Sequence, residues 1–340
     1  MPDPRTHAAD ESHQPNRPRY LMLDVGRLIA AIAVIWLHTP ESPLLHPTLY
    51  LGAFAVPFFT ISAILFIFEG LRRDPGRRWW PYAASRARRI YLPMLVWAAI
   101  YFAARNLKDL ALHKPLLRPA PTMFLVGTAH HLWYLSFLLA LSVLLFPLAR
   151  RTARAGAGVR IAVAAVAVAA GIVPACLPPP RLPPGDVGFF IGRVVAAAPA
   201  VFWGVAVASV LSFDRVARLL RSSAVAAAGL LLCVASLALG LSLRTHYVAL
   251  ENLAGLGFFL FALAPWDGPL VRKVSTWGPL AFGVYLAHVF FIEGVQAVAI
   301  KARVPPSPGL DLTVFACAVG LSFATALLLH RSRYTRWLIP

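Results

Sequence analysis

Arg27 and His38 stand eleven positions apart in an otherwise apolar stretch. Eleven helical steps of about 100° leave two side chains about 20° apart around the axis and about 16 Å apart along it. A guanidinium and an imidazole therefore share one stripe. Arginine grips phosphate or carboxylate in a forked geometry. Imidazole, with an ordinary pKa near about 6.5, suits general-base or nucleophilic work. Asp24 lies one turn before Arg27, at ion-pair spacing. Ionisable groups inside a bilayer cost about 3 kcal/mol on insertion scales, so such a stripe lines a cavity more often than it faces lipid. Two plainer readings stay open. Asp24 and Arg27 could snorkel from the end of a span, and His38 could be an interfacial histidine.

A second group lies further along. Seven arginines crowd one loop: Arg72, Arg73, Arg77, Arg78, Arg86, Arg88 and Arg89. The first four read as an orientation signal. Arg86 and Arg89 are three apart at the entry to a helix, so they are expected to project together and to suit a phosphate. Glu251, His288 and Glu293 fall in later apolar runs, with Tyr285 one turn before His288. Each of these could equally make a packing hydrogen bond. Cys176, Cys233 and Cys317 all sit in apolar runs, and their odd number argues against a disulfide framework or a zinc site. No metal is expected.

These residues need elements to hold them. Of 340 residues, 59% are apolar and 14% charged, and the mean hydropathy is +0.69. Soluble domains run nearer about 25% charged. The composition requires an integral membrane protein and excludes a disordered chain, a nucleic-acid module or a secreted scaffold. Ten runs reach or approach the length of a span: 21–40, 49–68, 90–104, 131–149, 159–177, 189–211, 223–243, 247–265, 278–299 and 309–330. Alternating patterns are absent, so an all-α polytopic fold of about ten transmembrane helices is expected rather than a barrel. Residues 1–20 read as a disordered cytoplasmic tail, 21–330 as the membrane domain and 331–340 as a short cytoplasmic tail. Of the 32 Lys and Arg, 22 fall on the side of the N-terminus, 8 fall opposite, and Arg27 and Arg193 lie within spans. That asymmetry accounts for the net charge of +18 and places both termini in the cytoplasm. The outer segment 105–130 carries four basic residues and is a candidate re-entrant or interfacial stretch.

Five segments, taken together, resemble the acyltransferase-3 family of membrane acyltransferases. Leu23-Asp24-Val25-Gly26-Arg27 through Trp36-Leu37-His38 is similar to its opening R-x10-H helix. Phe58-Phe59-Thr60-Ile61-Ser62-Ala63 resembles its FFxxSG segment, with Ala63 in the place of glycine. Arg86-Ala87-Arg88-Arg89-Ile90 resembles its R-x-x-R-I stretch, and His131-Leu132-Trp133-Tyr134-Leu135 its HLWFL. Gly278 through Tyr285-Leu286-Ala287-His288 resembles its G-x-x-SY-x-x-YLxH helix, with Ala281-Phe282 where Ser-Tyr is usual. The likeness spans residues 20 to 330. It implies a stand-alone form without the SGNH-type domain of many relatives.

The resemblance implies transfer of an acyl group, acetyl above all, from cytoplasmic acyl-CoA to a hydroxyl of a glycan such as exopolysaccharide or O-antigen. It implies a bacterial inner-membrane enzyme whose partners are membrane lipid and a glycan or lipid-linked glycan, with no nucleic acid. Arg27, Arg86 and Arg89 would bind acyl-CoA, and His38 would act as base or, alternatively, carry the acyl group. Asp24, His131, Trp133, Glu251, Tyr285 and His288 would support them. The rival reading is a transporter exporting a polar solute, because intramembrane charges mark transport paths as well.

Overall fold

The computed structural model describes residues 20–111, 113–177, 180–244 and 247–339. The tail expected over 1–20 lies, apart from Tyr20, outside the described residues. The described residues form fourteen α-helices and no strand. In chain order these are α1 (Leu21–Leu37), α2 (Ala55–Arg73), α3 (Trp79–Arg86), α4 (Leu92–Ala111), α5 (Met123–Val126), α6 (Trp133–Arg154), α7 (Ala157–Cys176), α8 (Asp186–Val210), α9 (Asp214–Leu220), α10 (Ser223–Leu243), α11 (Val248–Leu263), α12 (Pro269–Ser275), α13 (Leu280–Lys301) and α14 (Pro308–Arg331).

Each apolar run of the sequence lies in a helix. Eight helical stretches are long and apolar enough to cross a membrane. The third run, read from sequence as short, is instead part of the longest, because α3, a π-helical turn (Ala87–Tyr91) and α4 run on without a break over Trp79–Ala111. The remaining two runs are the exceptions. α1 has 17 residues and α11 has 16. At about 1.5 Å per residue these reach about 24–26 Å, short of a hydrocarbon core of about 30 Å.

The shortfall of α1 has a local cause. After Leu37 the chain turns back and the short helix His46–Gly52 packs beside the last turns of α1. The Trp36 indole donates to the Thr48 carbonyl at 3.0 Å. A second returning segment follows α4. Leu117 N–H donates to Asn106 Oδ1 (2.7 Å), the Thr128 hydroxyl to the Ala98 carbonyl (2.6 Å), and the Tyr91 hydroxyl to the Phe124 carbonyl (2.7 Å). The stretch 113–132 is thus laid back along α4, as a re-entrant segment would be. Irregular backbone at membrane depth is tolerated where it is buried in protein or lines a cavity, and both segments do line one.

α1 stands in the middle of the bundle against α2, α11 and α13. Leu23, Ala30, Ala31 and Ile35 are fully buried. Gly26 permits that closeness, since a Cβ there would come within 2.7 Å of the Phe58 ring. Gly229 and Gly257 let α10 and α11 touch backbone to backbone, as small residues do in membrane helix pairs. α7, α10 and α14 form the outer layer and expose Val166, Leu231 and Leu328, the surface that hydrocarbon covers.

Three polar devices fix the interior. Asp311, buried at the start of α14, accepts from Glu41 N–H and Ser42 N–H at 3.1 Å and from the Ser42 hydroxyl, pinning the loop that follows His38. In α8 the Asn252 side chain lies across one helical rung. Ala200 N–H donates to Asn252 Oδ1 at 3.0 Å, and Asn252 Nδ2 donates to the Ala196 carbonyl at 2.9 Å. An unbroken helix pairs those two backbone groups with each other. Pro199, inside the same turn, has no N–H to complete the neighbouring rung. In α13 the Tyr101 hydroxyl lies across a rung in the same way, donating to the Leu286 carbonyl (2.8 Å) and accepting from Phe290 N–H (3.1 Å). No proline stands in that turn.

Candidate active site

Two cavities enter the bundle from opposite ends of α1. The first, of about 190 Å³, holds Arg27 and Arg86. Its walls are largely apolar, with Phe59, Phe66 and Phe282, and Ser62 contributes a buried hydroxyl that has no protein partner among the described residues. Arg27 lies 3.6 Å from Asp24, the ion pair that their spacing suggests. The Arg86 guanidinium sits 5.1 Å over the Tyr82 ring.

The second cavity, of about 350 Å³, is lined by His38, His130, His131, Trp133, Arg193 and Glu251 among others. His38 follows the last residue of α1 and is exposed to this cavity. His131 belongs to the turn His130–Leu132 that ends the re-entrant segment, and Trp133 opens α6. His288 stands mid-way along α13, fully buried. The three imidazoles converge. Ring centres are 4.8 Å apart for His131 and His288, 5.4 Å for His38 and His288, and 6.4 Å for His38 and His131.

His288 is oriented by its own helix. Its Nδ1 lies 2.6 Å from the Tyr285 carbonyl. A carbonyl can only accept, so Nδ1 carries the proton and Nε2 is left with a lone pair. That Nε2 has no protein partner among the described residues. The opened turn Leu286–Phe290, held by Tyr101, carries this imidazole. Tyr101 also lays its ring 5.3 Å from His131.

Tyr285 lines both cavities. Its hydroxyl donates to the His131 carbonyl, which ties α13 to the turn before α6. The two chambers therefore meet at one side chain, with Arg27 and Arg86 on one side and the imidazoles on the other. Arg27, on α1, lines the first chamber, and His38, just past its end, lines the second.

The sequence-predicted residues divide as follows. Arg27 and Arg86 come together. His38, His131, Trp133, Glu251 and Tyr285 come together, with His288 against them. Asp24 partners Arg27. Arg89 does not join Arg86: it faces a different pocket with Arg88 and Trp337. The reason is the π-helical turn Ala87–Tyr91, which takes more residues per turn than an α-helix and so swings Arg89 away. Glu293 is drawn aside into an ion pair with Lys108 at 2.8 Å. Residues that sequence reasoning assigned no role are Tyr101, His130, Arg193 and Asn252. Arg193 did carry a signal, as an arginine within a span. Among the described residues no group of three or more His, Cys, Asp or Glu is arranged to hold a metal.

No curated protein and no solved structure matches the chain. A family model described as an acyltransferase domain, of the acyltransferase-3 type, matches residues 20–331. That range takes in both cavities and every residue that lines them, and the chain belongs to the acyltransferase-3 family of membrane acyltransferases.

Proposed function

We propose that this acyltransferase moves an acetyl group from cytoplasmic acetyl-CoA to a hydroxyl of a glycan, such as exopolysaccharide or O-antigen, on the far side of a bacterial inner membrane. The observation that carries the proposal is the meeting of the two cavities at Tyr285. A donor bound at the basic end must present its thioester to an acceptor bound at the other.

Each residue then has a task. Arg27 and Arg86 hold the donor's anionic portion at the mouth of the first cavity, where forked charged hydrogen bonds suit phosphate. The narrow apolar walls take the pantetheine arm, and the thioester comes to rest beside Tyr285. The acceptor enters the second cavity, where Trp133 and Phe189 offer faces for a sugar and Arg193 and Glu251 offer polar contacts. His38 takes the proton from the acceptor hydroxyl. The freed oxygen bonds to the thioester carbonyl carbon, the carbon–sulfur bond breaks, and the departing thiolate takes that proton to leave as free CoA. His131 and His288 keep the imidazole of His38 company at 5.4–6.4 Å. They offer the site further proton acceptors within reach of one water.

The test is transfer itself. Proteoliposomes loaded with a lipid-linked glycan are given acetyl-CoA labelled in the acetyl group. Label on the glycan, lost in His38→Ala, is the expected result. Movement of glycan across the bilayer with no label attached would overturn the reading in favour of export.

A further inference from the structure

A third pocket, of about 700 Å³, opens at the Arg27 end of the bundle and shares no lining residue with either chamber of the active site. One wall is the end of α3, the π-helical turn and the first residue of α4: Ser85, Arg88, Arg89 and Leu92. The other is Trp337, in the short helix Arg336–Leu338 after α14. That segment is docked. Ile339 is buried, and a Cβ on Gly283 would approach it to 2.9 Å. The Thr335 hydroxyl donates to the Leu329 carbonyl at 2.9 Å. Trp337 is therefore a fixed wall.

The charges in this pocket are unbalanced. Of the other five arginines in the same loop four are occupied: Arg72 and Arg73 bond Glu69, while Arg77 and Arg86 lie over the Tyr82 ring. Arg88 and Arg89 have no such partner among the described residues, and no acid lines the pocket. Two adjacent guanidinium groups without a counter-charge call for an anion, and forked donors favour phosphate.

The level of the pocket says which phosphate. Leu92 opens the span α4 and is exposed, while Trp80 and Trp337 are exposed beside it. Exposed tryptophans at the ends of spans mark the headgroup layer. A phosphate held there has apolar wall on its membrane side, where acyl chains would run. We propose that this pocket binds an anionic phospholipid, with Arg88 and Arg89 on its phosphate and Trp337 and Leu92 against its glycerol and first methylenes. A zwitterionic choline lipid would bring a third cation to a site with no acid. The donor's nucleotide phosphates are the other source of the same chemistry, but Arg86, which lines the donor cavity, does not line this pocket. The proposal rests only on the chain spanning a membrane, so its failure leaves the acyl-transfer reading untouched.

The experiment uses the full chain in detergent, with native mass spectrometry and thermal unfolding. Added phosphatidylglycerol should stay bound and raise the unfolding temperature, whereas phosphatidylcholine should not. Arg88→Gln with Arg89→Gln should weaken phosphatidylglycerol binding about tenfold or more and leave acetyl-CoA affinity within a few-fold. Trp337→Ala, which keeps every charge, should weaken lipid retention less, and it serves if the double variant fails to fold. Equal response to the two lipids, or no change in phosphatidylglycerol binding in either variant, would overturn the proposal. So would displacement of the lipid by acetyl-CoA or loss of acetyl-CoA affinity in the double variant, which would assign the pocket to the donor.

Discussion

The two chambers that meet at Tyr285 hold their polar groups in different ways. In the first, the charges sit on long flexible side chains: Arg27 on α1 and Arg86 at the end of α3, between phenyl walls. In the second, three imidazoles converge beside Arg193 and Glu251, and none of the three sits on an undisturbed stretch of helix. His38 lies in a loop pinned by Asp311, His131 in a turn capped by Tyr285, and His288 in a helical turn spliced by Tyr101. The contrast follows from the tasks proposed. Holding a flexible, highly charged ligand tolerates ångström-scale slack. Proton transfer does not, because a general base must stand within hydrogen-bond reach of the proton it takes, and small misplacements are costly.

That contrast can be broken by substitutions on the two sides. The largest effect is expected at His38. His38→Ala should lower transfer by about 10²–10⁴-fold, the usual range for a lost general base, with acetyl-CoA affinity changed by no more than a few-fold. Steady-state transfer and calorimetry on the solubilised protein measure the two. Near-normal transfer in that variant would remove His38 from the chemistry. Next comes Arg86→Ala, which should weaken acetyl-CoA binding by about 10- to 100-fold, the loss of one charged hydrogen-bonded contact, while turnover at saturating donor falls little. If it lowers turnover and leaves affinity alone, the division of labour is wrong.

Smaller effects sharpen the comparison. Tyr101→Phe keeps the ring against His131 but removes the hydroxyl from the Leu286–Phe290 rung. Turnover should fall about tenfold, a change of about 1.4 kcal/mol in the barrier, with the KM for acetyl-CoA unchanged. A parallel rise in that KM would mean that the rung supports the whole bundle instead of the histidine chamber. Asn252→Ala removes the other splice. Ala196 and Ala200 can then pair with each other, so the loss should be modest, about 1 kcal/mol of stability, read as a lower unfolding temperature with unaltered donor affinity.

Much of this molecule was legible in the chain because membrane spans are written locally. Each of the ten apolar runs is a helix, and the Asp24–Arg27 pair and the Arg27–His38 stripe follow from helical arithmetic alone. Arg86 and Arg89 were misread for an equally local reason: three residues apart means one face only on an α-helix, and Ala87–Tyr91 is a π-helical turn. Tyr101 was illegible for a different reason. Nothing about a tyrosine in an apolar run says that its hydroxyl will lie on a backbone rung 185 residues away. Nor does the Asn252 position say that its amide will complete a turn of α8. His130 and Arg193 reach the second chamber only because the re-entrant segment brings the start of α6 alongside α8, a contact between elements that no periodicity records.

The two spliced rungs also set an order of events during synthesis. α8 leaves the ribosome 52 residues before Asn252 arrives to bridge it, and Tyr101 precedes Leu286 by 185. Until then Ala196 and Ala200 have only each other, and Pro199, with no N–H, leaves the Val195 carbonyl without its helical donor. The first chamber cannot close early: Arg27, Arg86 and Ser62 lie in the first third of the chain, but Phe282 and Tyr285 of α13 are part of its wall. The second waits likewise, because Asn252 comes with α11, and His288 and the Leu286 carbonyl that Tyr101 engages come with α13. A nascent chain would thus be able neither to hold a thioester nor to spend one until α13 is delivered, since that one helix brings Phe282 and Tyr285 to the first chamber and Tyr285 and His288 to the second.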